Sequence, residues 1–409
     1  MPNLTLAGAL LLSLMPLVPL AAQGTASTVQ GPAGAAFYSP PEPLPAGEAG
    51  SLIWMRPLEG TMALPGAARN SLLLYRSPGA AGAAVAISGS ISIPNGAPPA
   101  SGWPVINWTH GTTGLAAGCA PSLDDANGPE HPYIEHIRAL LDRFVRAGFA
   151  VVATDYEGLG VAGRHPFLQG RPNGQDALNM LRAARAAEPS LGTRYVVMGH
   201  SQGGHADLFT AALGKDLLPE FQLLGNAAFA PASQIAGRLS AVRASPRVEL
   251  ALPYVLYVLQ SYAQSHPEID LGRILTAEAI AHLPDLQVGC MTRSLSEGYW
   301  STAIAKDQFL PEPEPELAAF LRVAAENEPG SLRIPVPTLV QQGMADVTVL
   351  PGDTTSMVAQ LCAGGNVVEY RSWPGMDHNG VMASGADTAL TWVAARFAGQ
   401  PATGGCAAR

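Results

Sequence analysis

The chain carries little charge of either sign. Only 13% of its 409 residues are Asp, Glu, Lys or Arg, the formal net charge is −9, and no run of basic residues occurs. Proteins that bind nucleic acid neutralise phosphates with clustered Lys and Arg side chains. The composition therefore argues against nucleic acid as a partner, and no pattern in it indicates a stable protein partner.

Cysteine is scarce as well. The chain has four cysteines with no Cys-x-x-Cys pair among them, namely Cys119, Cys290, Cys362 and Cys406. This spacing disfavours a structural zinc site and a thioredoxin-type redox centre, and it leaves three disulfide pairings open. A small, even number of cysteines fits an oxidising compartment outside the cytoplasm.

Long apolar runs are missing beyond the first residues, so we expect no transmembrane helix there. The exception is the stretch 4–22, which ends in small residues and is interrupted by Pro16 and Pro19. These interruptions favour a cleaved signal peptide over a membrane anchor, although no Lys or Arg precedes the stretch. We expect residues 1–24 to be a signal peptide and the protein to be secreted or periplasmic.

Length and a hydrophobic fraction of 47% predict two domains or one domain with a large insertion. Strand-like apolar runs alternate with helical patterns, which predicts an α/β fold with a mostly parallel central sheet covered on both faces. We expect this core to comprise residues 25–230 and 332–409. Between them, residues 231–331 contain mainly helix-like segments, at 252–263, 271–283 and 315–327. This insertion is either a cap that fills space or a lid that forms a binding pocket.

Residues 199–203 read Gly-His-Ser-Gln-Gly, directly after a strand-like run and before a helix-compatible stretch. In a strand–turn–helix setting of this kind, a serine is held on a tight, strained turn with its hydroxyl exposed. The pattern predicts Ser201 as a nucleophile. The alternative is a glycine-rich turn whose serine caps the following helix.

A serine hydroxyl needs a base to remove its proton, and the base needs an acid that fixes its tautomer. In this setting the chain order is Ser, then Asp or Glu, then His. His378 is the one late histidine and is predicted as the base, against the alternative of a surface-loop histidine. Asp346, directly after a predicted strand, is preferred as the acid over Asp353, which resembles a helix N-cap, and over Asp377, which adjoins His378.

Negative charge that develops on an acyl oxygen requires hydrogen-bond donors around it. The backbone amide of Gln202 is expected to be one donor, since it follows the predicted nucleophile. The second is expected from the loop Asn107-Trp-Thr-His-Gly-Thr-Thr-Gly114, with Thr112 preferred and Gly111 next, unless this loop is an ordinary turn. Asp155 ends a strand on the same face and is predicted to brace this loop rather than to act in catalysis.

These motifs together resemble the secretory lipase family, the lipase A-like group of the α/β-hydrolase superfamily. The matching pieces follow the family's order across almost the whole chain: Phe37-Tyr-Ser-Pro-Pro41, Trp108-Thr-His-Gly-Thr-Thr-Gly114, Thr154-Asp-Tyr-Glu-Gly-Leu-Gly160, Gly199-His-Ser-Gln-Gly-Gly204, Gly343-Met-Ala-Asp346 and Asp377-His378. The His-Gly-Thr-Thr-Gly loop departs from the fungal members.

The resemblance implies an α/β-hydrolase fold with a helical lid between nucleophile and acid. It implies Ser201 as nucleophile, Asp346 as acid and His378 as base. It also supports the hypothesis that the disulfides are Cys119–Cys290 and Cys362–Cys406, the second holding the C-terminal tail.

We therefore expect a secreted serine carboxylester hydrolase, that is, a lipase or esterase similar to triacylglycerol lipases. It would form an acyl-enzyme on an ester or lipid substrate. It would need no metal or organic cofactor. The apolar segment 252–263 fits transient contact with a lipid surface, and core packing explains it equally well. One alternative is a serine peptidase or amidase in which Glu249, Asp270 or Asp285 holds the substrate amine. The other is a non-catalytic binding protein.

Overall fold

The computed structural model describes residues 1–2, 29–311, 315–404 and 406, so the predicted signal peptide lies outside it except for its first two residues. Within these ranges the backbone forms nine strands: β1 (Leu52–Pro57), β2 (Ala67–Pro78), β3 (Ala84–Pro94), β4 (Trp103–Thr109), β5 (Ala150–Thr154), β6 (Leu191–His200), β7 (Gln222–Phe229), β8 (Thr338–Gly343) and β9 (Val368–Trp373).

All nine strands belong to one sheet with the order β1-β2-β3-β5-β4-β6-β7-β8-β9. The strands from β5 to β9 along this order are parallel, whereas β1, β2 and β3 are antiparallel to their neighbours. The α/β class with a mostly parallel sheet is therefore confirmed. Because carboxyl ends of parallel strands meet at one edge, the loops after β4, β6, β8 and β9 lie on the same side of the sheet.

Helices cover both faces of the sheet. The described residues form α1 (His131–Arg146), α2 (Gly170–Ala187), α3 (Gln202–Leu217), α4 (Ile235–Ala244), α5 (Leu252–Ser265), α6 (Ala277–His282), α7 (Asp285–Val288), α8 (Met291–Ser296), α9 (Glu316–Glu326), α10 (Pro351–Ala363) and α11 (Gly380–Phe397).

The side chains of β6 pack alternately on the two faces of the sheet. Val196 and Met198 pack in the cluster that includes α1 and α11, whereas Tyr195 and Val197 pack in the cluster that includes α2. Successive side chains of a strand point to opposite faces, so a central strand with helices on both sides has to be apolar throughout.

Residues 231–331 contribute no strand to the sheet in the described part of the chain, and they hold α4 to α9. They have an apolar core of their own that includes Leu239, Leu256 and Phe320, and Phe167 and Leu168 from the preceding region join this core. The insertion is thereby packed against the rest of the molecule through shared apolar contacts.

The predicted helix over 271–283 was wrong as a single element. A short 3-10 turn, Leu271–Arg273, is followed by the separate helix α6. The interruption arises because Ile274 and Thr276 exchange backbone hydrogen bonds with the segment around Phe309, and because the Thr276 side chain caps α6.

Two disulfides join distant parts of the chain. Cys119 is bonded to Cys290, which ties the loop after β4 to the insertion, and Cys362 is bonded to Cys406, which ties α10 to the C-terminal tail. These are the pairs hypothesised from the sequence. No helix in the described ranges has the length and apolar character required to cross a membrane.

Candidate active site

Ser201 occupies the sharp turn between β6 and α3. Its backbone has φ 60° and ψ −120°, a conformation that L-residues rarely adopt. A Cβ at Gly199 would collide with the Gly203 carbonyl, and a Cβ at Gly203 would collide with the Thr109 carbonyl. The two glycines are required because the strand, the turn and the neighbouring strand approach one another this closely.

Ser201 opens onto a pocket of about 680 Å³, a volume that includes the open mouth, and Thr112 and Gln202 line the same pocket. Ser201 itself is 6% exposed. Most of the lining side chains are apolar, among them Phe167, Leu168, Ile235, Leu239, Val255 and Phe320.

His378 and Asp346 meet at the carboxyl ends of β9 and β8. His378 Nδ1 lies 2.7 Å from Asp346 Oδ2, and the His378 side chain is 16% exposed while that of Asp346 is fully buried. Since a carboxylate oxygen accepts, Nδ1 carries the proton in this pair. The other ring nitrogen, Nε2, is then the one with a lone pair that can accept a proton.

Asp346 is held in place by more than the histidine. Its Oδ1 accepts the backbone N–H groups of Thr348 and Val349 at 2.8 and 2.9 Å. Its Oδ2 also accepts from Gln342 Nε2 at 3.1 Å. These donors fix the direction of the carboxylate toward His378.

The hydroxyl of Ser201 forms no hydrogen bond with His378 among the described residues. The residue before the serine contacts the predicted base, since the rings of His200 and His378 have centroids 4.5 Å apart. Hydrogen bonds between nucleophile and base are often long in unliganded enzymes and tighten with substrate.

The backbone amides of Thr112 and Gln202 are both available at the pocket. Neither N–H donates to another group in the described part of the chain, and Gln202 is the first residue of α3, where helical N–H groups have no intrahelical acceptor. The N–H of Gly111, the second choice from the sequence, donates instead to the hydroxyl of Tyr133 at 2.9 Å. Thr112 therefore stays the predicted second donor.

Comparison with known proteins identifies the protein family of this chain. The family model described as secretory lipase matches residues 134–405, more than half of the chain. This chain belongs to the secretory lipase family. Lipase 6 of Candida albicans is 25% identical over 401 residues, which span 90% of this chain and 82% of the relative.

Solved structures carry the same fold. Candida antarctica lipase A in its closed state superposes with a TM-score of 0.74 at 18% identity, covering 88% of this chain and 85% of that one. A ligand-bound form of the rice cell wall degrading esterase LipA from Xanthomonas oryzae gives 0.67 at 21% identity, covering 86% and 98%. The fold is an α/β-hydrolase, and this secretory lipase is a carboxylic ester hydrolase whose substrates are esters or lipids.

The two other aspartates considered as the acid have local partners in this secretory lipase. Asp377 Oδ1 accepts the backbone N–H of Gly380 at 2.7 Å, at the start of α11. Asp353 lies 3.4 Å from Arg238. The prediction that Asp353 is an N-cap was wrong, because α10 begins at Pro351 and its N-cap is Leu350.

Asp155 braces the loop after β4. Its carboxylate accepts the backbone N–H of Ser122 at 3.1 Å, the Ser88 hydroxyl at 2.6 Å and the Ser122 hydroxyl. Its own carbonyl oxygen lies 3.2 Å from His110 Nε2. Burial raises the pKa of Asp155, and the hydroxyl donors oppose that rise. These contacts fit the bracing role predicted from the sequence.

Sequence reasoning did not reveal several side-chain hydrogen bonds around the serine turn. Gln202 Nε2 donates to His165 Nε2 at 2.7 Å, and burial lowers the pKa of His165 to about 4. Tyr133 contacts His200, which burial keeps neutral by lowering its pKa well below the usual range. His200 and Gln202 lie inside the serine motif, which was the only signal for this group, whereas His165 and Tyr133 gave none.

Proposed function

We propose that this secretory lipase hydrolyses carboxylic esters through an acyl-enzyme on Ser201, with His378 as base and Asp346 as the carboxylate that orients it. The observation that supports this most strongly is the 2.7 Å hydrogen bond between His378 and Asp346, at the edge of the sheet where Ser201 occupies its strained turn. In that geometry His378 Nε2 is the ring nitrogen whose lone pair can take the Ser201 proton.

In the first half-reaction, Ser201 Oγ attacks the ester carbonyl carbon while His378 Nε2 takes the hydroxyl proton. The carbonyl oxygen becomes an oxyanion that the N–H groups of Thr112 and Gln202 stabilise. The carbon–oxygen bond to the alcohol then breaks, and His378 gives its proton to the departing alcohol. Water repeats the sequence on the acyl-enzyme and releases the acid, while Asp346 stabilises the imidazolium in both halves.

The acyl part of the substrate is assigned to the apolar pocket beside Ser201. More than half of its lining residues belong to 231–331, including Ile235, Leu239, Val255 and Phe320. We therefore propose that this insertion is a lid that sets acyl preference and not only a cap. Residues 1–24 are proposed to direct secretion as a cleaved signal peptide, in keeping with the family.

The structure offers little for a peptidase that holds a substrate amine. Among the described residues lining the pocket, Asp353 is the sole acidic one, and it is paired with Arg238. Glu249, Asp270 and Asp285, the acids considered from the sequence, are not among the lining residues. An amine-binding carboxylate of this kind is what an aminopeptidase would require.

The test is hydrolysis of p-nitrophenyl esters from acetate to palmitate, with Ser201→Ala as the control and an aminoacyl p-nitroanilide in parallel. We expect turnover that depends on Ser201 and increases from acetate toward longer chains, because the pocket is apolar. A maximum at acetate would contradict the acyl role of the pocket. Turnover of the anilide alone would support the peptidase, and failure of the folded protein to react with a fluorophosphonate would favour a non-catalytic protein.

A further inference from the structure

A chain of three hydrogen bonds runs behind the candidate active site. The backbone N–H of Gly111 lies 2.9 Å from the hydroxyl oxygen of Tyr133, and this hydroxyl lies 3.0 Å from His200 Nδ1. On its other side, His200 Nε2 lies 2.9 Å from the carbonyl oxygen of His378. The chain thus connects the loop after β4 with the loop after β9, two segments that are far apart in sequence.

We propose that Tyr133 and His200 are positioning residues that couple the oxyanion loop to the loop carrying the base, so that both reach the geometry of catalysis together. The inference rests on the proposed function, because it assigns Thr112 and His378 their catalytic roles. Neither Tyr133 nor His200 is proposed to touch substrate.

Chemistry allows only one direction for the protons along this chain. The Gly111 N–H can only donate and the His378 carbonyl can only accept. His200 Nε2 therefore carries a hydrogen atom and donates a hydrogen bond to the His378 carbonyl oxygen. In the neutral ring, Nδ1 is then an acceptor. Tyr133 then accepts from Gly111 and donates to His200, so each group has a partner in one consistent arrangement.

The environment keeps the two side chains in these protonation states. His200 is fully buried, and burial, helped by the neighbouring His378, lowers its pKa well below the usual range. Burial raises the pKa of Tyr133, so the phenol keeps the proton that it donates. Hydrogen bonds among buried neutral groups hold geometry firmly, because breaking one leaves an unpaired polar atom.

The residues joined by these hydrogen bonds are next to the groups with proposed catalytic roles or carry them. Gly111 directly precedes Thr112, His200 directly precedes Ser201, and the accepting carbonyl belongs to His378 itself. A Cβ at Gly111 would collide with the Tyr133 hydroxyl and would lie 3.1 Å from the Ser201 Cβ. The hydroxyl of Tyr133 therefore sets where the oxyanion loop passes the nucleophile.

Positioning of donors and base matters most in the transition state, so loss of the coupling lowers kcat more than it changes KM. Tyr133→Phe removes one oxygen atom and leaves the Gly111 N–H and His200 Nδ1 each without a partner. We expect kcat for p-nitrophenyl butyrate to fall about tenfold with KM within about twofold of the wild type.

Tyr75→Phe is the matched control, since it also deletes a buried phenol oxygen with two partners, Thr154 and the carbonyl of Asp176. It should lower the melting temperature without this loss of kcat. Unchanged kcat in a folded Tyr133→Phe enzyme, or an equal loss in Tyr75→Phe, would overturn the proposal.

His200 gives a second, independent test. Glutamine carries an oxygen and an NH₂ group that can replace Nδ1 as acceptor and Nε2 as donor, whereas leucine carries neither. We expect His200→Gln to keep kcat within about threefold and His200→Leu to lose about tenfold or more. Equal losses in the two variants would contradict a hydrogen-bonding role.

The double variant Tyr133→Phe/His200→Leu measures the coupling directly. Because both changes break the same series of hydrogen bonds, the kcat of the double variant should match that of His200→Leu, and losses that multiply would overturn the coupling.

These variants also separate the positioning role from the proposed function. If wild-type turnover does not depend on Ser201, the proposed function fails, whereas Ser201-dependent turnover that is insensitive to Tyr133 and His200 rejects only the positioning role.

Discussion

The sheet core and the helical insertion are built on different principles. Ser201, Asp346 and His378 follow β6, β8 and β9 at one edge of the sheet, and directional hydrogen bonds fix the loops that carry them. The insertion is held mainly by apolar packing around residues such as Leu256 and Phe320. Directional bonds specify angles and distances, whereas apolar packing specifies volume. We infer that the core sets the chemistry and that the insertion sets the size and polarity of what is accepted.

The largest expected effect tests the core. Ser201→Ala removes the attacking oxygen, so kcat should fall by about 10⁴-fold or more, with a small remainder from oxyanion stabilisation and binding. Initial rates on p-nitrophenyl butyrate, together with a circular dichroism spectrum that shows an intact fold, provide the measurement. Activity close to that of the wild type would mean that the chemistry lies elsewhere.

The next effect tests which acid orients the base. Asp346→Asn keeps the size of the side chain but no longer fixes the tautomer of His378, so kcat should fall by about 10³- to 10⁴-fold at neutral pH. Asp377→Asn is the control, because the amide oxygen can still accept the Gly380 N–H, and its kcat should stay within about threefold. The roles would be exchanged if Asp377→Asn were the inactive variant.

A smaller effect should appear in the insertion. Val255 lines the pocket from α5, and Val255→Phe fills part of it. We expect kcat/KM for the octanoate ester to fall about tenfold while the acetate ester changes less than about threefold, since only the longer chain needs the filled space. Leu321→Phe, at a site that is 37% exposed on α9, is the matched control. An equal loss on both esters would indicate a damaged catalytic centre instead of a narrowed pocket.

The smallest effect concerns stability where the two regions meet. Glu130, only 7% exposed beside α1, accepts the backbone N–H of Thr292 from the insertion at 2.6 Å. Burial raises the pKa of Glu130 from 4.5 to about 7. The folded state thus binds a proton that the unfolded state releases, and the free energy of unfolding falls as pH rises from about 4.5 to about 7.

Glu130→Gln keeps an oxygen acceptor but cannot ionise. At pH 8 it should therefore unfold at a higher temperature than the wild type, by an amount corresponding to at most about 3 kcal/mol, whereas at pH 4 the two should nearly agree. Differential scanning calorimetry at both pH values measures this. Glu135→Gln on the same helix is the control, because the Glu135 side chain is 43% exposed. A stabilisation by Glu130→Gln that is independent of pH would refute the argument.

The sequence was most informative where local geometry is strict. Gly199 and Gly203 flank Ser201 because a side chain at either position would collide with backbone, and that constraint is visible as a short pattern. The alternation of strand and helix likewise predicted the parallel sheet. Asp346 and His378 could be chosen by chain order, and the hydrogen bond between them agrees with that choice.

Contacts between segments that are distant along the chain leave no short pattern in the sequence. Tyr133 meets Gly111 and His200 only because α1 passes behind the loop after β4, and the sequence around Tyr133 does not reveal this. The break before α6 depends on pairing with the segment near Phe309, which periodicity within 271–283 does not show. Likewise, the shape of the pocket depends on how the insertion packs, so its lining was not predicted residue by residue.

The bond between Cys119 and Cys290 spans 171 positions of the chain. A protease that makes one cut anywhere inside that span cannot release a fragment, because the two pieces remain covalently joined. Such a nicked protein would migrate as one band on a non-reducing gel and as two bands after reduction. For a protein exposed to foreign proteases outside the cell, the loop that carries Thr112 would stay attached to the half of the molecule that carries His378.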